Sequence, residues 1–195
     1  MLHVIGNHEE TGKSGEEITS AVYNLQNPSY YSVDYGLVHV ATIEFMNSMS
    51  AYKEALEWLV EDAAKSNAPY KILVMHQPAY YTNASEPSNA ELHKLLPAYV
   101  EQAGIDIVFA GHDHSYARTE EINGVTYYIC GTSGEKAYPI TDNKDFRFKI
   151  ATDNFTATYL TLNATDKAIT VTTYDLQNGE PTVIDTYTKS KSKNN

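Results

Sequence analysis

The sequence is short of the residues that tie small scaffolds together or carry a chain through a bilayer. Its 195 residues include one cysteine, Cys130, which excludes an intramolecular disulfide and any zinc site built from thiolates. Cys130 reads as a small apolar residue in the run Tyr127-Tyr128-Ile129-Cys130 and leaves the compartment open. No stretch approaches the ~20 apolar residues of a membrane span. The opening Met1-Leu2-His3-Val4-Ile5-Gly6 lacks the basic and apolar regions of a signal peptide. Positive charge is also scarce: 14 Lys and Arg against 25 Asp and Glu give a net charge of −11, with no basic cluster outside the tail. Nucleic acid and anionic membrane both need a basic footprint, so neither is an expected partner. A small anionic substrate stays compatible, because bound divalent cations can reverse the field inside one cleft.

What is present suits one sizeable core: 42% of the residues are apolar. A single domain is expected over residues 1–188, followed by a disordered basic tail at 189–195. The domain reads as partial, since an apolar strand at Leu2 to Ile5 runs straight into Gly6-Asn7-His8-Glu9 with no room before it. Residues 10–20 read as an exposed loop, and order resumes near Tyr23. Alternating Tyr31, Val33 and Tyr35, a turn at Gly36 and the apolar run Leu37 to Ile43 predict two strands, the second central. Ser50 is the expected cap of a helix with Tyr52, Leu56, Leu59, Val60 and Ala63 on its buried face. Tyr70 to Met75 then reads as a buried strand that His76-Gln77-Pro78 breaks. Ser88 and Glu91 have capping-box spacing before a helix that Pro97 should kink or divide and Gly104 should end. Ile105 to Ala110 is the next strand. Strand, helix, strand favours parallel neighbours, which delivers His76 and His112 to one edge. Later strands are expected at Thr119 to Ile122, Val125 to Cys130, Ala157 to Leu162, Ile169 to Tyr174 and Val183 to Thr188, with an Asn123-Gly124 hairpin turn and a long connection at 131–150.

Three short motifs therefore stand at three strand ends: Gly6-Asn7-His8-Glu9, Val74-Met75-His76-Gln77-Pro78 and Gly111-His112-Asp113-His114. Open α/β sheets bind ligands at the carboxyl ends of their strands. On an extended backbone the i and i+2 side chains of His112 and His114 would share a face roughly 7 Å apart, enough to serve two adjacent ions. Imidazole and amide oxygen without thiolate suit Zn, Fe or Mn.

In order and spacing these motifs resemble the calcineurin-like metallophosphoesterases, and Tyr116 and Arg118 after the second histidine make the chain look most like the purple-acid-phosphatase branch. The resemblance covers most of residues 1–188. It implies an α/β (α+β) fold, the four-layer αββα sandwich of two mixed sheets, with the N-terminal strands missing. It implies hydrolysis of phosphomonoesters by a metal-bound hydroxide at a two-metal centre of Fe, Zn or Mn. By matching position, Asn7, His76 and His112 would ligate one metal and His114 the other, while His8 would hold a phosphate oxygen and protonate the leaving group. The family's upstream aspartate motifs, its bridging Gly-Asp aspartate and the purple branch's tyrosine ligand have no counterpart in these residues. The chain alone is therefore expected to bind at most one metal, weakly, and to be weakly active or inactive. The alternative is a non-catalytic binding or assembly module that keeps the scaffold. The resemblance further suggests a secreted or cell-surface parent. The unpaired edge at Leu2 to Ile5 is expected to favour self-association.

Other polar residues carry plainer readings. Asp113 is expected to be a turn residue, His39 a hydrogen-bonded core histidine, and His93 a solvated helix residue; His3 reads the same way, with the cleft within its reach. Tyr80 and Tyr81 divide evenly between covering substrate and packing a loop, and Tyr116 joins them as a substrate-contact candidate. Arg118 either grips phosphate or, the preferred reading, pairs with a carboxylate. Asn83, Asn154 and Asn163 fit the N-glycosylation pattern, which matters only in a eukaryotic secretory pathway.

Overall fold

A computed structural model describes residues 2–8, 29–83, 90–131, 136–141 and 147–191. The order of elements is β1 (Tyr30–Tyr35), β2 (Val38–Ile43), α1 (Met49–Lys65), β3 (Tyr70–Met75), α2 (Ala90–Gln102), β4 (Ile107–Ala110), β5 (Tyr116–Thr119), β6 (Thr126–Cys130), β7 (Phe148–Thr152), β8 (Thr158–Ala164), β9 (Ala168–Gln177) and β10 (Glu180–Ser190). Seven strands form a mixed sheet in the order β1-β2-β3-β4-β6-β5-β7, and β10-β9-β8 form a second sheet. Strands β2, β3, β4 and β6 run parallel at the centre of the first sheet.

Strand β3 shows why both faces of that centre are apolar. With a period of two, Leu73 and Met75 face the helices, while Tyr70 and Ile72 face the second sheet. The helical side collects Tyr52, Leu56 and Leu59 of α1 and Leu92, Leu96 and Val100 of α2. The other side is closed by alternate residues of β9, Ile169 and Val171, packed on Tyr70, Ile107, Tyr116 and Tyr128. Each fully buried Leu or Ile contributes roughly 1.5–3 kcal/mol by leaving water.

The expected α/β calcineurin-like architecture is thus present, with differences in detail. The second sheet is antiparallel throughout instead of mixed. Both described helices lie on one face of the first sheet, so the described residues fill three of the four expected layers. Leu2 to Ile5 is not a strand; it is tied to the sheet by the Phe45 N–H, which donates to the carbonyl of Ile5, and by the Tyr31 hydroxyl of β1, which accepts from the His3 N–H and donates to the His3 carbonyl. The unpaired edge belongs instead to β1, which pairs only with β2 among the described residues and exposes Val33 and Tyr35. Ser48, not Ser50, caps α1, because its side chain reaches the Ala51 N–H. Pro97 does not divide α2, which runs through it at the cost of the one bond its missing N–H would have donated to the carbonyl of His93. Strand β5 runs from Tyr116 to Thr119, ending where the strand expected at Thr119 to Ile122 begins, and β7 starts within the long connection expected at 131–150. The boundary at 188 falls short, because β10 continues to Ser190 and Lys189 is held by Asp106 and Glu121. Lys191 lies over the Tyr70 ring. Glu9, the loop at 10–20, Tyr23, Ser88 and residues 192–195 lie outside the described residues.

Candidate metal centre

The strands β3 and β4 are parallel neighbours, so His76 and the Gly111–Ser115 loop leave the sheet at the same edge. The Gly111 N–H donates to the carbonyl of His76 and keeps the two exits together. Beyond the end of β2, the bond from Phe45 N–H to Ile5 carries Gly6, Asn7 and His8 to that edge as well. The edge of the Phe45 ring meets the His76 ring at 6.2 Å. Gln77 is buried beside His76, where its Oε1 accepts from the Tyr52 hydroxyl of α1, a phenol pushed up to about 12 by burial.

Three of the expected ligands converge. His76 Nε2 lies 2.7 Å from Asn7 Oδ1 and 3.1 Å from His112 Nδ1, and the two imidazoles meet edge to face at 5.1 Å. A single N–H on Nε2 can be aimed at only one of these two partners. A cation satisfies all three lone pairs together: with bonds of about 2.0–2.1 Å, donor atoms around one ion stand roughly 3 Å apart. The donor set therefore fits one borderline metal ion, with the Asn7 amide as the third ligand. Among the described residues no three His, Cys, Asp or Glu side chains form a metal site by themselves. Burial is the main cause that lowers the pKa of His112, and the neighbouring His114 and His8 push it the same way against Asp113. These causes favour the neutral ring, the form that donates to a metal.

His114 does not join this group. Its Nδ1 lies 3.0 Å from the carbonyl of Lys136, and its ring stacks on Tyr138 at 4.2 Å, nearly parallel. This carbonyl contact and stacking fix the ring, as partners of ligating histidines commonly do. The histidines are also not on an extended strand: β4 stops at Ala110, and His112 and His114 both have left-handed backbones, φ 70° and 48°. The i, i+2 strand argument therefore gives the wrong geometry for the pair. His8 is exposed at the rim, within electrostatic reach of His112.

The substrate-contact candidates move away from the centre. Tyr116 is fully buried between the sheets, with its hydroxyl donating to Asp185 Oδ2 and sharing a bond with Thr173. Arg118 is buried too, and its Nε and Nη2 grip both oxygens of Asp185 at 2.5 and 2.9 Å. Period two in β5 puts residues 116 and 118 on the face toward the second sheet, where both are buried against Asp185. Tyr80 packs into the core with its ring edge on Tyr127 and Arg147 above it. Tyr81 lies against His93. His93 is half-buried, not solvated, and burial is the main cause that lowers its pKa. His39 is the expected core histidine, placed between Asp34 and Asp62. His3 pairs with Glu44 and Tyr31.

A mixed sheet with a parallel centre and imidazole and amide donors gathered at its carboxyl edge is a scaffold suited to a bound metal ion. The family model for calcineurin-like phosphoesterases matches residues 1–116, and the chain belongs to that family. A phosphoenolpyruvate phosphatase of Allium cepa is 30% identical over 120 residues, which is 60% of this chain and 24% of that protein. An Fe(3+)-Zn(2+) purple acid phosphatase of Arabidopsis thaliana is 24% identical over 58% of this chain and 26% of its own length. The fold is similar to the purple acid phosphatase PPD1 of yellow lupin, with a TM-score of 0.68 and 20% identity over 85% of this chain and 34% of that one. The chain thus spans about a quarter of the length of the curated relatives it matches.

Proposed function

We propose that this chain is the histidine-bearing part of a phosphomonoesterase, with Asn7, His76 and His112 holding one transition-metal ion. The convergence of Asn7 Oδ1 and His112 Nδ1 on His76 Nε2, at 2.7 and 3.1 Å, carries this reading. A cation bound there polarises a phosphoryl oxygen and lowers the pKa of water. The chain's own residues would then orient the ester. His8 at the exposed rim would hold a phosphate oxygen and pass a proton to the leaving oxygen, a task suited to an imidazole near neutral pH. His114, fixed by Lys136 and Tyr138, would serve a second ion, with no further His, Cys, Asp or Glu cluster for it among the described residues.

Alone, the chain would take up one metal weakly and turn over phosphomonoesters slowly. Measuring hydrolysis of an aryl phosphate by the purified chain with Zn²⁺, Mn²⁺ or Fe³⁺ tests this directly. Slow release that disappears in His112→Ala supports the proposal. Brisk turnover with two metals bound contradicts the one-ion part of it.

A further inference from the structure

Between the two metal-site histidines of its loop lies a carboxylate that points the other way. Asp113 is 6% exposed, and one of its oxygens, Oδ2, accepts three hydrogen bonds from the loop that follows His76. The Thr82 N–H donates at 2.6 Å, the Thr82 hydroxyl at 3.1 Å and the Asn83 N–H at 3.4 Å. The Thr82 hydroxyl also shares a 2.5 Å bond with the buried hydroxyl of Ser115. The Thr82 carbonyl in turn accepts from the N–H of Thr141, at the end of the segment that supplies Lys136 and Tyr138 to His114. Three loops meet at this node, and each carries or orients an imidazole of the centre.

We infer that Asp113 is a positioning residue: bound to Thr82 and Ser115, it holds the His112 and His114 loop in a left-handed shape that aims His112 at His76. The inference rests on the one-ion reading above. Two non-glycine departures into positive φ on either side of Asp113, at His112 and His114, need external restraint, because L-residues with side chains avoid that region. The Asp113 N–H closes the turn onto the carbonyl of Gly111, and its carboxylate supplies the tertiary restraint. A solvated turn aspartate would leave its carboxylate in water and would not reach a residue 31 positions earlier. All three bonds use one oxygen, so an amide in the same place can accept them as well.

The test compares Asp113→Asn, Asp113→Ala and Thr82→Val with the unaltered chain. Thr82→Val keeps the buried shape and the Thr82 amide bond while removing the hydroxyl that joins Asp113 to Ser115. In the metal-free chain, long-range ¹⁵N–¹H spectra of the imidazoles report the His76–His112 contact. Asp113→Asn should keep it and Asp113→Ala should abolish it, with Thr82→Val in between. Titration with Zn²⁺ should show about 10–100-fold weaker binding for Asp113→Ala, the range usual for residues that orient ligands. Ring signals unchanged in Asp113→Ala and Thr82→Val overturn the inference, whether or not zinc binds. Ring signals that respond as expected in a chain that takes no zinc uphold the positioning role and overturn the metal reading instead.

Discussion

Breaking the Arg118–Asp185 pair should unfold the seam between the two sheets. The two side chains are 6% and 11% exposed, and both guanidinium contacts are short. Asp185→Ala leaves the Arg118 charge buried without its carboxylate and leaves the Tyr116 hydroxyl with Thr173 alone. Losing one partner of a buried pair costs about 3–5 kcal/mol. Against the roughly 5–15 kcal/mol of a whole domain, that is a large share of the stability. In urea the midpoint should fall by about 1–5 M for a slope of about 1–3 kcal/mol/M. The double variant Arg118→Met with Asp185→Leu removes both charges and should recover most of the loss. Burial works to raise the Asp185 pKa, but hydrogen bonds from Arg118 and Tyr116 outweigh it and hold the carboxyl below its ordinary value. A depressed carboxyl pKa gives stability that is present above the unfolded value of about 3.9 and is lost as pH falls through the folded value. Asp185→Asn should therefore flatten the acid limb below about pH 4. A single-variant cost under about 1 kcal/mol, the scale of a surface pair, or a double variant equal to the sum of the singles, would refute this account.

Two other outcomes follow. His93 has a folded pKa below 6.5, so as pH drops from 7 the unfolded chain takes up its proton first and stability declines until the folded pKa is passed. In His93→Phe, urea denaturation should show a shallower decline between pH 7 and 5, whereas an unchanged slope contradicts the burial argument. Val33, Tyr35 and Leu37 line a groove of about 640 Å³ with Leu2 and Leu162, beside the edge of β1 that no other strand pairs among the described residues. Sedimentation should show concentration-dependent self-association that Tyr35→Lys with Leu37→Lys abolishes; a strictly monomeric chain removes that expectation.

Much of this fold is legible in the sequence where one physical signal dominates. Strands β3 and β4 are buried on both faces and read as unbroken apolar runs, and the Asn123-Gly124 turn, with positive φ at both residues, sits where that dipeptide predicts. The ligand-bearing strand ends follow from those runs. What was not legible depends on partners far away in sequence. Asp113 looks like any turn aspartate until Thr82 is beside it, and Lys189 looks like a tail residue until Asp106 and Glu121 surround it. Tyr116 reads as a substrate contact only because it follows His114 closely, although strand alternation places it with Arg118 on one face, toward Asp185, the carboxylate partner that the preferred reading of Arg118 expects. Strand β7 has no alternation strong enough to separate it from the polar residues around it.

The central claim is that Asn7, His76 and His112 bind one ion together. Calorimetric titration of the metal-free chain with Zn²⁺ should show one site, lost in His76→Ala and in His112→Ala and weakened in Asn7→Ala. Equal zinc binding by the unaltered chain and all three variants would contradict it.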